Sequence, residues 1–330
     1  MLMKDSLYAK LADTWKELST VTSVLISAHI DPDGDSIGSS LGLLHLLREQ
    51  GINAHILQHH PIPKNLSFLP HDQAFLFYDQ PDIKEIIAGT EAWCILDLNA
   101  PQRLGPNILP FFEHFTGKVF LFDHHVKPIL KADYSHVIIE SSSTCEIIAR
   151  MALESNIEIN AQSAECLYTG IMTDTGGFRH SRTNAEVMRL AATLIDAGAD
   201  PVKIYDKVMN AQSLVSMQLL GMALSNLTIS HDGALILIIL RKEQLVGYSS
   251  EDLEGFVNYT LSIEGAKIGG LITEWEDGTV KMSLRSKPTH EVRSIAESFG
   301  GGGHVQAAGA RVRHGNLKEI VESIQQMAKI

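Results

Sequence analysis

Where the apolar run Lys118 to Phe122 gives out, the chain reads Asp123-His124-His125, an acid and two imidazoles in three residues. Three other segments carry such groups just past an apolar run: His29, Asp33 and Asp35; Asp97, with Arg103 downstream; and Asp174, between Thr173 and Thr175. Carboxylates mixed with imidazoles suit a divalent cation, and the absence of a thiolate argues against a structural zinc site. If His29, Asp33, Asp35, Asp97, His124 and Asp174 converge, four carboxylates balance two divalent cations, with Asp97 able to bridge them. Two cations about 3.5 to 4 Å apart acidify water and clamp the entering and leaving oxygens of a displacement at phosphorus, so the chemistry implied is phosphoester hydrolysis. Mn(II) suits this donor set, with Mg(II), Co(II) and Zn(II) as alternatives.

Each segment also has a plainer reading. Pro32 and Gly34 bend the loop that carries His29, Asp33 and Asp35, and Asp35 or Ser36 is a good cap for a helix starting near Ile37. Asp97 follows Cys94 to Leu96, where a buried carboxylate without a partner is costly; a cation or the next helix N-terminus would supply one. His124 and His125 point to opposite sides on extended backbone, so one is expected on a metal and the other on substrate. His59 and His60, which precede Pro61, have no acids nearby. They read as ordinary core or surface residues, with His45, His55, His71, His114, His136, His231, His290 and His314.

The elements that must position these groups show in the hydrophobic pattern. Val24 to Ala28, Ala54 to Leu57, Trp93 to Leu96 and Lys118 to Phe122 read as strands. Ser36 to Gln50, closed by Gly51, reads as a helix, as do Ser143 to Glu154 and Ala161 to Met172. This alternation predicts an α/β fold, with a mostly parallel sheet flanked by helices and ligands beyond the carboxyl ends of its strands. A long helical stretch from about Asn184 to Asn226 follows, broken at Gly198 to Pro201. From Leu227 turn dipeptides separate apolar runs, as in antiparallel hairpins. The expected organisation is a catalytic domain over 1–195, a helical connector over 196–220, and a smaller mixed α/β domain over 221–330 that ends in a helix from about Asn316.

The 330 residues, 45% of them apolar, suffice for two hydrophobic cores. A formal net charge of −12 argues against a protein that grips long duplex nucleic acid through an extended basic face. A cleft can still focus positive potential on a phosphate, which favours small or short phosphorylated substrates. Cys94, Cys145 and Cys166, an odd number in apolar surroundings, read as buried thiols. The chain has no uninterrupted apolar run of spanning length, and Met1 to Ser6 opens a charged, helix-like segment. The expected location is therefore the cytoplasm, with no membrane partner.

Six motifs occur in order: His29/Asp33/Asp35; Asp97 with Arg103 and Gly105; Asp123-His124-His125; Thr173 to Thr175 with Phe178 and Arg179; Ser283 to Ser286; and Gly301 to His304 with Ala307 to Gly309. Together they resemble the DHH phosphoesterase superfamily with its DHH-associated C-terminal domain, and within it the bacterial nanoRNases with 3′-phosphoadenosine 5′-phosphate phosphatase activity. The resemblance covers nearly the whole chain. It implies one metal on His29, Asp33 and Asp97, and a second on Asp35, Asp97, His124 and Asp174. It also implies His125 as the catalytic contact to the scissile phosphate, with Asp123 orienting a ligand. Arg285 and His304 would bind another substrate phosphate, which the amides of Gly302 and Gly303 approach, and Arg103 and Arg179 would be substrate contacts or structural ion-pair residues. After His304 many relatives carry a basic residue, whereas this chain has Val305 and Gln306, which leaves its preferred substrate length open. The expected activity is hydrolysis of short oligoribonucleotides to mononucleotides and of 3′-phosphoadenosine 5′-phosphate to AMP. Alternatives are a linear dinucleotide phosphodiesterase, an inorganic pyrophosphatase or exopolyphosphatase on the same metal core, and a non-catalytic nucleotide-sensing module. The expected partners are these nucleotides, and a homodimer is allowed.

Overall fold

The computed structural model describes residues 8–126 and 128–330, so the segment Met1 to Ser6 lies outside the described residues. The chain divides into two compact units, Met1–Ala211 and Gln212–Ile330.

The first unit runs α1 (Leu11–Leu18), β1 (Ser23–Ser27), α2 (Gly34–Glu49), β2 (Asn53–Gln58), β3 (Phe75–Phe77), α3 (Ile83–Ala88), β4 (Ala92–Leu96), α4 (Leu109–Glu113), β5 (Lys118–Asp123), β6 (Tyr134–Val137), α5 (Thr144–Glu154), α6 (Ala161–Asp174), α7 (Ala185–Asp196) and α8 (Pro201–Met209). Its six strands are all parallel, in the order β3-β2-β1-β4-β5-β6. Strand side chains alternate between two cores. Val24, Ile26, Cys94, Leu96, Phe120 and Phe122 pack with residues of α1, α2, α5, α6 and α7. Leu25, Leu57, Trp93, Ile95 and Leu121 face the opposite way, toward Ile83 and Ile87 of α3 and Phe111 and Phe112 of α4. Helices thus cover both faces, as a parallel sheet requires.

The strand order reverses between β1 and β4. In open α/β sheets the crevice outside the carboxyl ends at such a reversal receives the ligand. Another packing feature sets the geometry there. Gly34, Gly38 and Gly42 recur every four residues along one side of α2, and a Cβ at each would overlap Thr173, Cys166 and Leu167 of α6. Their absence of side chains lets α6 approach closely, which brings the start of α2 beside the end of α6. The edge strands β3 and β6 escape the hydrophobic pattern because neither carries a long apolar run: Phe75–Phe77 is three residues and Tyr134–Val137 is half polar.

The second unit runs α9 (Leu214–Ser225), β7 (Leu227–Ser230), β8 (Leu235–Leu240), α10 (Phe256–Thr260), β9 (Ile268–Glu274), β10 (Val280–Ser286), α11 (Arg293–Ser298), β11 (Gly302–Gly303), β12 (Ala307–Val312) and α12 (Leu317–Met327). Its sheet has the order β11-β12-β10-β9-β8-β7, antiparallel except for the pair β8 and β9. Leu235, Leu237, Ile268 and Ile272 pack with Ile295 of α11 and Ile320 and Ile324 of α12. Ile238, Leu240 and Leu271 pack with Leu219 and Leu220 of α9 and Phe256 of α10. The helical stretch expected over Asn184 to Asn226 is three helices with two breaks. Asn184, Asp200 and Ser213 each cap one by accepting backbone N–H bonds. The division between the units falls at the second break, inside the stretch expected as a connector. No described helix is long and apolar enough to cross a membrane.

Candidate metal centre

The loop after β1 delivers the first three groups. Asp33 adopts extended backbone as the N-cap of α2; its Oδ1 accepts the Ser36 N–H at 2.9 Å while its own N–H donates to Ser36 Oγ at 2.8 Å. This differs from the expected cap at Asp35 or Ser36, because Asp33 already has the extended backbone a cap needs. Capping uses only one carboxylate oxygen. The other, Oδ2, stands 3.5 Å from His29 Nε2. Asp35, two residues on, is 2% exposed and accepts the N–H groups of Thr144 at 2.7 Å and Cys145 at 2.9 Å, at the start of α5. The positive end of the α5 dipole favours a carboxylate there.

Asp97 is the centre of the arrangement. It leaves β4 in the left-handed region, at φ +57°, a conformation that costs a non-glycine residue about 1–3 kcal/mol and persists only where its surroundings hold it. Its Oδ2 is 3.2 Å from His29 Nε2, and its Oδ1 is 3.4 Å from His124 Nε2 and 3.6 Å from His125 Nδ1. Thr144 Oγ1 donates to the same Oδ1 at 3.2 Å. His124 Nε2 also lies 3.7 Å from Asp35 Oδ2 and 3.7 Å from Asp174 Oδ2. Ligand atoms therefore gather in three overlapping groups that could hold an ion: His29, Asp33 and Asp97; Asp35, His124 and Asp174; and Asp97, His124 and His125.

The two histidines do not point apart. β5 ends at Asp123, so strand alternation no longer governs the next two residues, and the rings sit 4.8 Å apart at 68°. Asp123, fully buried, holds His125 through a 2.7 Å contact from its Oδ1 to Nδ1 and accepts the His125 backbone N–H at 3.2 Å. On the far side of that ring Nε2 meets Arg103 Nη1 at 3.4 Å. Arg179, in contrast, is exposed and donates from Nε to the carbonyl of Gly176 at 2.7 Å. It is Arg182 that approaches His124, with Nη1 2.9 Å from Nδ1. Nothing in the residue pattern marks Arg182 or Thr144, both of which meet the cluster only through folding. The Gly34/Gly38/Gly42 spacing, however, is a readable sign of a close helix contact.

The electrostatics of the cluster call for positive charge. Burial opposes an imidazolium at His29, yet hydrogen bonds and charge from Asp33 and Asp97 outweigh it and raise its pKa to about 10. His124 is raised to about 9, with burial again opposing and Asp97, Asp35 and Asp174 prevailing. For Asp97 burial pushes upward, but His124 and His29 hold it well below the usual carboxylate range. Burial first, then the charges of Asp97 and Asp174, push Asp35 well above that range. Asp174 is also raised, chiefly by burial. The acids favour protons on the neighbouring imidazoles, and Asp35 and Asp174 favour their own protonated forms, which fits a donor set built for cations.

His59 has both ring nitrogens buried with no hydrogen-bond partner, and burial lowers its pKa. Its ring lies 4.9 Å from that of Tyr78, tilted by 38°.

In the second unit, Arg285 on β10 pairs with Ala307 on β12, so it borders the turn that joins β11 to β12. That turn closes through the His304 N–H to Ala307 O at 2.8 Å and the return bond at 3.3 Å. Ser286 N–H donates to Gln306 O at 3.0 Å, tying β10 to the same turn. Gly303 sits at φ +138°, where a Cβ would also crowd Ala307 O, so only glycine fits. Gly302, Gly303 and His304 are exposed, and Arg285 is half-buried with its pKa lowered by burial. Arg285, Gly302, Gly303 and His304 therefore lie at one end of one sheet.

Residues 23–171 match the DHH family, N-terminal domain, and residues 241–329 match the DHHA1 domain. A protein of Thermus thermophilus named bifunctional oligoribonuclease and PAP phosphatase NrnA is 31% identical over 94% of this chain and 93% of its own length. The chain belongs to the DHH family. A Bacillus subtilis family member of the same name is 25% identical over 90% of this chain and 91% of its own. The crystal structure of an exopolyphosphatase-related protein from Bacteroides fragilis superposes with a TM-score of 0.90 at 32% identity, covering 96% of this chain and 95% of that one. The DHH match contains every clustered residue except Asp174, just past its end, and the DHHA1 match contains Arg285 and Gly302 to His304.

Proposed function

We propose that this chain is a metal-dependent phosphoesterase that hydrolyses short oligoribonucleotides to mononucleotides and 3′-phosphoadenosine 5′-phosphate to AMP. The observation that carries the reading is Asp97, whose two oxygens each face a separate imidazole, His29 on one side and His124 on the other. His29, Asp33 and Asp97 would hold one cation, and Asp35, Asp97, His124 and Asp174 a second. The mixed imidazole and carboxylate set favours Mn(II). When bound, such a pair polarises phosphoryl oxygens and lowers the pKa of water.

The protein's own groups do the rest. Asp123 keeps the His125 ring in place. His125 and Arg103 stand side by side, so both can face one phosphate. Water attacks phosphorus and gives up a proton to solvent, the P–O bond to the sugar oxygen of the leaving nucleotide breaks, and His125 supplies the proton that oxygen takes up and regains one from solvent. Arg103 meets the charge on the non-bridging oxygens. Arg285, His304 and the amides of Gly302 and Gly303 hold the substrate's other phosphate. Arg179 is a further substrate contact, able to leave the carbonyl it now meets.

The names of the Thermus and Bacillus relatives support the choice of nucleotide substrates, while the Bacteroides protein, as an exopolyphosphatase relative, points to polyphosphate. Purified protein with Mn(II) should be offered dinucleotides, 3′-phosphoadenosine 5′-phosphate, pyrophosphate and polyphosphate side by side. Release of mononucleotides and AMP is the expected result. Pyrophosphate or polyphosphate as the sole good substrate would overturn the reading, and binding without turnover of any of them would leave a nucleotide sensor.

A further inference from the structure

We infer that Thr144 is a positioning residue for one cation site and not for the other, its hydroxyl holding Asp97 for the ion beside His124; the inference rests on the two-cation reading of the cluster. Thr144 is fully buried and is the first residue of α5. Its backbone N–H donates to Asp35 Oδ2 at 2.7 Å, and its Oγ1 donates to Asp97 Oδ1 at 3.2 Å. One residue thereby reaches two carboxylates that come from different places in the chain, the start of α2 and the end of β4.

The two oxygens it reaches are those that face His124. His124 Nε2 lies 3.4 Å from Asp97 Oδ1 and 3.7 Å from Asp35 Oδ2. On the other side of the cluster, His29 Nε2 lies 3.2 Å from Asp97 Oδ2 and 3.5 Å from Asp33 Oδ2. Among the described residues, no hydroxyl or backbone N–H donates to either of those two oxygens; the cap bond of Asp33 uses its Oδ1. The two groups of ligand atoms are therefore unequally prepared. Around His124 the oxygens are held from within the fold, whereas around His29 they meet an imidazole alone.

The helix itself has no use for the hydroxyl. Ser143 is the N-cap of α5, its Oγ accepting the Glu146 N–H at 3.0 Å, and Glu146 Oε2 accepts the Ser142 N–H at 2.7 Å. Burying a hydroxyl without a partner is costly. Among the described residues the one hydrogen bond of the Thr144 hydroxyl runs to Asp97, so that carboxylate accounts for a polar group at a fully buried position.

What the hydroxyl does there follows from the lone pairs. A carboxylate oxygen has about two acceptor positions. Thr144 takes one of them on Asp97 Oδ1, which leaves the other for a cation beside His124, while Oδ2 is left to a cation beside His29. Asp97 sits at φ +57°, a conformation that needs support from its surroundings, and the contact from α5 supplies part of it. The hydrogen bond thus fixes the rotation of the carboxylate and assigns one oxygen to each ion, as the partners behind metal ligands do in general.

The test titrates metal-stripped wild type, Thr144→Val and Thr144→Ser with Mn(II), following the free ion by electron paramagnetic resonance. Wild type should take up two ions. Thr144→Val keeps the backbone N–H to Asp35 and loses the hydroxyl; it should hold one ion as wild type does and the other about 10–100-fold more weakly. Thr144→Ser should restore the second ion. Added to His29→Ala, Thr144→Val should weaken the ion that remains; added to His124→Ala, it should leave the remaining ion unchanged. Two ions held by Thr144→Val as tightly as by wild type, an equal loss at both sites, or the same loss in Thr144→Ser overturns the inference and leaves the two-cation reading intact. Fewer than two ions taken up by wild type overturns both. Should Thr144→Val fail to fold, Thr144→Ala against Thr144→Ser carries the same comparison, since of these two only Thr144→Ala removes the hydroxyl.

Discussion

The acid and histidine cluster of the first unit and the β11–β12 turn of the second are each built from a handful of polar residues, yet they differ in how firmly they are held. Asp35, Asp97, Asp123 and His124 are all buried, and each has several partners inside the unit. His304, which opens a turn of four residues, and the β11 glycines Gly302 and Gly303 before it are exposed. A group locked by its neighbours can hold a fixed geometry against a reacting atom. An exposed turn bordered by one half-buried arginine is suited to grip an anion, and its loss should touch binding before chemistry.

The largest effect expected follows from the buried side. His124→Ala removes an imidazole that faces Asp35, Asp97 and Asp174 at once, and turnover should fall beyond the roughly 10–100-fold that loss of a supporting shell costs. Metal titration of the same variant should show one tight site lost. A variant with wild-type turnover would break the comparison at its root. Next in size is Arg285→Ala. Loss of one charge-assisted contact, about 1.5–3 kcal/mol, should raise KM roughly 10–100-fold while kcat stays within a few-fold. A fall in kcat equal to that of His124→Ala would show the turn takes part in chemistry.

Much of this contrast is legible in the sequence. His29, Asp33, Asp35, Asp97 and His124 follow strand ends and Asp174 closes a helix, and all stand out because acids and imidazoles interrupt apolar runs there, a pattern that chemistry explains better than packing does. The parallel sheet shows for the same reason, since strands buried on both faces are continuous apolar runs. The edge strands Phe75–Phe77 and Tyr134–Val137 do not, because half-exposed strands lack that signature. Arg182 and Thr144 are equally hidden: their places against His124 and Asp97 depend on how α5 and the segment after α6 return to the sheet. The convergence of His124 and His125 runs against a local rule, strand alternation, that stops applying where β5 ends.

A smaller effect probes the charge balance of the cluster. In protein stripped of metal by a chelator, His29 and His124 have pKa values of about 10 and about 9, above the ~6.5 of an exposed histidine. Their contribution to stability is fully present below ~6.5 and is lost as pH rises through those two values. Asp35 and Asp174, also raised, act in the same direction. The thermal midpoint of the stripped protein should therefore drop between pH 6.5 and 10 by an amount on the order of 5 °C. With Mn(II) bound the dependence should flatten, because cations replace the imidazole protons. A stripped protein equally stable at both ends of that range would show that the acids do not hold those protons.

The smallest expected signal separates the two units most cleanly. All three cysteines lie in the first unit, buried: Cys94 in β4, Cys145 at the start of α5 and Cys166 in α6. Burial raises each thiol's pKa, and the nearby Asp35 adds to it at Cys145. A thiol reagent attacks the thiolate, so native protein should label far more slowly than unfolded protein. Any labelling must then pass through local opening of the unit that carries the cluster, since the second unit contributes no thiol. If Mn(II) clamps the ends of β1, β4 and β5, it should slow labelling further. Rates unchanged by metal would mean that the cluster is rigid before a cation arrives, which would make the buried site preformed and widen its contrast with the exposed turn.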